Sequence, residues 1–98
     1  MKILDRIIDN ISEEIEGAKD YAEKYIESKA LGDMSRANVY REMAQDELRH
    51  AEHIRDFAIS DIDGMKKVYS FTQDEEEKWD HHLKHFVDCM GWVKRMLS

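Results

Sequence analysis

The chain has 98 residues, no proline, four glycines and 38% charged side chains, so it reads as one small all-α domain. A formal net charge of −7 leaves no basic face to displace phosphate counterions and excludes nucleic acid as a partner. A single cysteine excludes an internal disulfide framework; with no apolar run able to span a bilayer and no signal peptide, the expected setting is the cytoplasm.

From Ile3 to Ala30, the apolar residues Leu4, Ile8, Ile11, Ile15, Ala18, Ala22, Tyr25 and Ile26 recur at steps of three and four, one face of a long amphipathic helix. Gly32 can take the left-handed conformation that closes a helix, and Asp33 or Ser35 can cap the next. The turn is therefore short, and the chain folds back as an antiparallel hairpin of about 2–31 and 34–69. The second helix places Tyr40, Met43, Ala44, Ala51, Ile54, Ala58, Ile62 and Met65 on its stripe, fading near Gly64 and ending around Tyr69. Thr72-Gln73-Asp74-Glu75 is a capping-box sequence, and its acidic run suits a helix N-terminus, so a third helix is expected over about 73–97. Its stripe is Trp79, Leu83, Phe86, Met90, Val93 and Leu97, with His82 and Cys89 on the same side. Leu, Ile, Val and Phe together number only 21 of 98 residues, a thin core for long helices, so an obligate oligomer is expected.

Two carboxylates and one imidazole fall on these stripes. At roughly 100° per residue, Glu47 lies near the centre of the second helix's apolar stripe and His50 roughly 60° to one side, so both are expected to point inward, whereas His53 faces solvent. On the first helix Glu14 lies roughly 60° from the stripe centre, with Tyr21 two turns on along the same flank, while Glu16 and Asp20 fall near the opposite face. Glu47-Leu48-Arg49-His50 is an E-x-x-H step, which sets a carboxylate and an imidazole one turn apart on one face. Carboxylate oxygens with one imidazole make a hard-to-borderline anionic site suited to Fe(II), Fe(III) or Mn(II), unlike a thiolate-rich zinc site. A purely structural role for the same groups, as a polar network setting the register of a helical oligomer, needs Arg36, Arg41 or Arg55 to satisfy them. On the third helix His81, His85 and Cys89, spaced four apart, suggest a second metal grouping, against which His residues beside a Trp/Phe stripe are more often packing or surface groups.

The segments Glu13-Glu14-Ile15-Glu16-Gly17-Ala18-Lys19-Asp20-Tyr21 and Asp46-Glu47-Leu48-Arg49-His50-Ala51 resemble the ferritin-like superfamily, and within it the encapsulated-ferritin branch, over about residues 8 to 58. The superfamily's ligand rule is one Glu from each of two helices and an E-x-x-H from each of two others; this chain has half of that set. The resemblance implies that a homodimer completes a four-helix bundle with a di-iron site shared across its interface, and that such dimers assemble into a larger ring-like oligomer. It implies a ferroxidase, oxidising Fe(II) to Fe(III) for iron storage or detoxification, with manganese chemistry and peroxide removal as variants of the same site. It gives Glu14 the first-helix ligand position, Glu47 the bridging or chelating carboxylate, His50 the terminal imidazole and Tyr21 the tyrosine beside them. It gives Glu13 and Glu16 the acidic pair that lines an iron access path. The branch delivers iron inside an encapsulin-type shell. Here Val93 to Ser98 reads as helix rather than as the Gly/Leu-rich tail that targets cargo to such a shell, and the hairpin turn is a few residues longer than the pattern.

Overall fold

A computed structural model describes Met1–Ser98 as three helices, α1 (Lys2–Ala30), α2 (Met34–Lys66) and α3 (Gln73–Leu97), with no strands. The all-α reading and the hairpin plus third helix hold, and no helix is long and apolar enough to cross a membrane.

The boundaries follow from local hydrogen bonding. Gly32 takes φ +77°, which lets its N–H donate to Lys29 O (3.0 Å) and the Asp33 N–H to Ser28 O (3.0 Å), the pair of bonds that satisfies the last carbonyls of α1. Asp33 then caps α2 by accepting from the Arg36 N–H at 3.1 Å. The α3 start is a complete capping box: Thr72 Oγ1 accepts from the Glu75 N–H (3.1 Å) and Glu75 Oε1 accepts from the Thr72 N–H (3.0 Å). α2 stops at Lys66 rather than around Tyr69, because the chain tightens into a turn whose Val68 and Tyr69 N–H groups both donate to Met65 O.

α1 and α2 pack antiparallel along their whole length, giving a body 54 × 19 × 18 Å. α2 contributes Ala37, Ala44, Ala51 and Ala58 to the core, one alanine every seven residues, and α1 adds Ala18 and Ala22 along the same stripe as the larger Leu4, Ile11 and Ile15. A seven-residue repeat keeps one narrow seam of α2 turned toward α1, and small side chains on it let the two backbones approach. α3 returns alongside the hairpin, parallel to α1 and antiparallel to α2, burying Trp79, His82, Phe86, Val93 and Leu97. Lys78 pairs with Asp5 of α1, and the Lys19 ammonium sits 4.9 Å from the Trp92 ring. Toward α2, Arg55 lies 5.0 Å over the Phe86 ring, Lys94 pairs with Glu52 at 3.4 Å, and Arg41 Nε donates to the Leu97 carbonyl at 3.0 Å. α3 thus packs chiefly on α1, reaches α2 through these long side chains, and covers one side of the hairpin only.

Candidate metal centre

Glu14, Glu47 and His50 are brought together on the side of the hairpin that α3 leaves open. Each offers a ligand atom within 4.8 Å of the others, and this is the one place in the molecule where three such donors converge. His50 Nδ1 stands 3.9 Å from Glu14 Oε2 and 4.0 Å from Glu47 Oε1. The helical register explains the meeting: Glu47 and His50 are one turn apart on α2, and α1 presents Glu14 at the same level on the adjoining flank.

The expectation that all three point inward needs correction. Glu47 and Glu14 are part-buried, at 27% and 31% side-chain exposure, but His50 is 62% exposed. The groups of α2 that meet α3 are Arg41, Glu52 and Arg55, and Glu52, two positions beyond His50, projects from the opposite side of the helix. With α3 on that side, the ligand face has no cover within the protomer.

Carboxylate crowding sets the electrostatics. The neighbouring Glu14 carboxyl, by hydrogen bonding, pushes the Glu47 proton affinity above the ordinary glutamate range; partial burial and the Glu14 charge add to it, and His50 opposes it. The cations that a purely structural network requires are engaged elsewhere: Arg36 with Asp33, Arg41 with the Leu97 carbonyl, and Arg55 with Asp56 and Phe86. Even Arg49, between Glu47 and His50 in sequence, turns to Asp46. The two carboxylates therefore face each other with the His50 imidazole as the one basic side chain beside them. Two oxygen donors and one imidazole with open positions fit a divalent iron or manganese ion.

Tyr21 lies on the expected flank, where it stacks on Tyr40 (centroids 6.3 Å apart, 24° between planes) rather than bonding to Glu14, with Lys24 capping both rings. Tyr40 stands seven residues before Glu47 as Tyr21 stands seven after Glu14, and in an antiparallel hairpin that symmetry pairs them. Glu13 and Glu16 are exposed and do not join the three donors; with Asp9, Ser12, Gly17 and Asp20 they line a shallow acidic groove along α1. On α3, Cys89 Sγ and His85 Nε2 lie 3.4 Å apart, but His81 is not brought in and no third donor completes a group. Burial, then the Glu16 charge, pushes the Cys89 thiol up and disfavours the thiolate that a metal needs. His82 is buried against Trp79 (ring centroids 5.7 Å) with Nε2 unpartnered, and burial lowers its proton affinity. The residue that the helical pattern does not single out is Gly17: a Cβ built there stands 3.2 Å from Glu47 Oε2.

Set against family models, curated proteins and solved structures, the chain matches none.

Proposed function

We propose that this protein is a ferroxidase in which two copies pair through their open hairpin faces and oxidise Fe(II), the substrate, at a site built from Glu14, Glu47 and His50 of both. The observation that carries the reading is the convergence of these three donors on an uncovered face with no arginine or lysine to neutralise the carboxylates. One protomer supplies too few donors for two ions, whereas two copies supply four carboxylates and two imidazoles, the set that di-iron carboxylate bundles use. Glu14 and His50 stand near the midpoints of α1 and α2, so a two-fold axis at the site overlaps both hairpins along most of their length. The same face exposes Ile3, Met43 and Phe57 and leaves Ile7 and Ile54 part-covered, apolar surface that a second hairpin buries.

In this reading Fe(II) binding opposes the raised proton affinity of Glu47, and the Glu14 and Glu47 carboxylates supply the negative charge that favours Fe(III). Two Fe(II) each lose one electron to dioxygen, which takes up two protons from solvent and leaves as hydrogen peroxide; the exposed edge at His50 keeps the site open to solvent. Manganese chemistry and peroxide as the oxidant use the same donors. A ring-like assembly of dimers and delivery of iron to an encapsulin-type shell belong to the same proposal. The raised Glu47 proton affinity favours one rival, a metal-free helical oligomer in which protonated Glu47 bonds to Glu14 across a register-setting network. Iron bound per protomer and aerobic Fe(II) oxidation, compared between the parent chain and Glu47→Ala, test the proposal. Saturable binding near one iron per protomer, with oxidation lost in the variant, supports it, and no binding with no difference between the two leaves the structural oligomer.

A further inference from the structure

We infer that Gly17 is a positioning residue for the candidate metal centre: its missing side chain makes the bed on which the Glu47 carboxylate lies against α1. The inference rests on the metal reading above for its purpose, but its geometry stands independently. Glycine in the interior of a 29-residue helix weakens it relative to alanine, so a reason for it is needed. The backbone supplies none, because only Gly32 has a positive φ. Space does. A Cβ at Gly17 would stand 3.2 Å from Glu47 Oε2, 3.7 Å from its Cδ and 3.8 Å from its Cγ, so the whole end of the side chain is laid across that position. Gly64 has nothing within 4 Å of its built Cβ, and Gly91 meets only the far end of the Arg95 side chain at 3.4 Å.

The two oxygens of Glu47 thus have separate neighbours, Oε1 toward His50 at 4.0 Å and Oε2 over the α1 backbone. Gly17 lies one turn after Glu14, so seating Glu47 there also sets its distance to the Glu14 carboxylate. A methyl group displaces Oε2 by a few tenths of an ångström, and a branched side chain displaces the whole carboxylate, prising the α2 ligands away from the α1 ligand. Gly17 also borders the acidic groove of Asp9, Glu13, Glu16 and Asp20, and a side chain there would narrow the approach from that groove to Oε2.

The test compares Gly17→Ala and Gly17→Val by Co(II) titration of the full chain, reading affinity and the visible absorption of the bound ion. Expected are affinities weaker by about threefold for Ala and by about tenfold or more for Val, with a changed Co(II) spectrum, while metal-free Gly17→Ala melts roughly 4 °C higher than the parent through its better helix propensity. Parent-like affinity and spectrum in both variants overturn the inference. A metal-independent cycle separates it from the metal reading: each substitution is repeated on Glu47→Ala and the melting points compared. If the parent takes up no Co(II), the metal reading fails. Gly17→Val costing less stability once the Glu47 side chain is gone then still upholds the inference, and an equal cost in both backgrounds overturns it.

Discussion

Replacing Glu47 by glutamine removes one of two facing carboxylates while keeping the side chain's shape. Unit charges 4.8 Å apart, the outer limit for these donors, repel by about 0.9 kcal/mol in a water-like dielectric and about 3.5 kcal/mol at an effective dielectric of 20. Both groups are between a quarter and a third exposed, which places the relief near the lower figure, about 1 kcal/mol. The sign depends on pH. Glu47 binds its proton more tightly in the folded chain, so in metal-free protein its contribution is fully present below the ordinary glutamate range and is lost as pH rises through the raised value. At neutral pH the glutamine variant is thus expected to melt roughly 4–8 °C above the parent in chelator. Metal reverses the order. An ion at a hundredfold excess over its dissociation constant stabilises the parent by about 2.7 kcal/mol, and the variant, lacking a ligand, gains little. Thermal melts with chelator and with Mn(II) measure both arms; a glutamine variant less stable than the parent in chelator, or equally stabilised by Mn(II), refutes the reasoning.

Three further outcomes follow from the packing. His82 is buried and takes up its proton less readily than the usual imidazole value of about 6.5, so its contribution is complete above that pH and is lost as pH falls through its lowered value. His82→Phe should flatten the stability–pH slope there by at most about 1.4 kcal/mol per pH unit, and an unchanged slope in paired urea titrations counts against that burial. Thr72→Ala, which removes one half of the capping box, should cost about 1 kcal/mol and speed amide hydrogen exchange in the first turn of α3 before it affects the hairpin. Phe86 is wholly buried beneath Arg55, so Phe86→Ala should cost about 3–5 kcal/mol in urea unfolding; a cost under about 1 kcal/mol would show that α3 packs elsewhere.

The features legible in the sequence are those whose physics is local. The Gly32 turn, the Asp33 cap and the Thr72 capping box each depend on residues within one turn, and the structure has all three. The approach of Glu14 to Glu47 and His50 follows from helical period plus one short antiparallel turn, and is equally local in origin. The end of α2 is less legible, since Gly64 stays helical and the stop is made by backbone bonds around Met65. Periodicity states where a side chain lies relative to a stripe, not what covers it, which is why His50 is exposed although it flanks apolar residues. The side chosen by α3 depends on pairings such as Arg55 with Phe86 and Lys78 with Asp5, all more than thirty positions apart in the chain. Gly17 carries a signal, a glycine where alanine would serve the helix better, but its meaning needs the position of Glu47 on another helix.

The central placement of the three donors insulates them from the ends of the rod. Glu14 stands about 18 Å from the start of α1 and about 24 Å from its end, and His50 about 24 Å from either end of α2, at 1.5 Å per residue. Terminal turns of helices open and close with little free energy, whereas a helix interior opens only with much of the domain. Fraying at Ala30, Met34 or Lys66 therefore stops several turns short of Glu14, Glu47 and His50, and the spacing of the donors persists while the tips of the hairpin move.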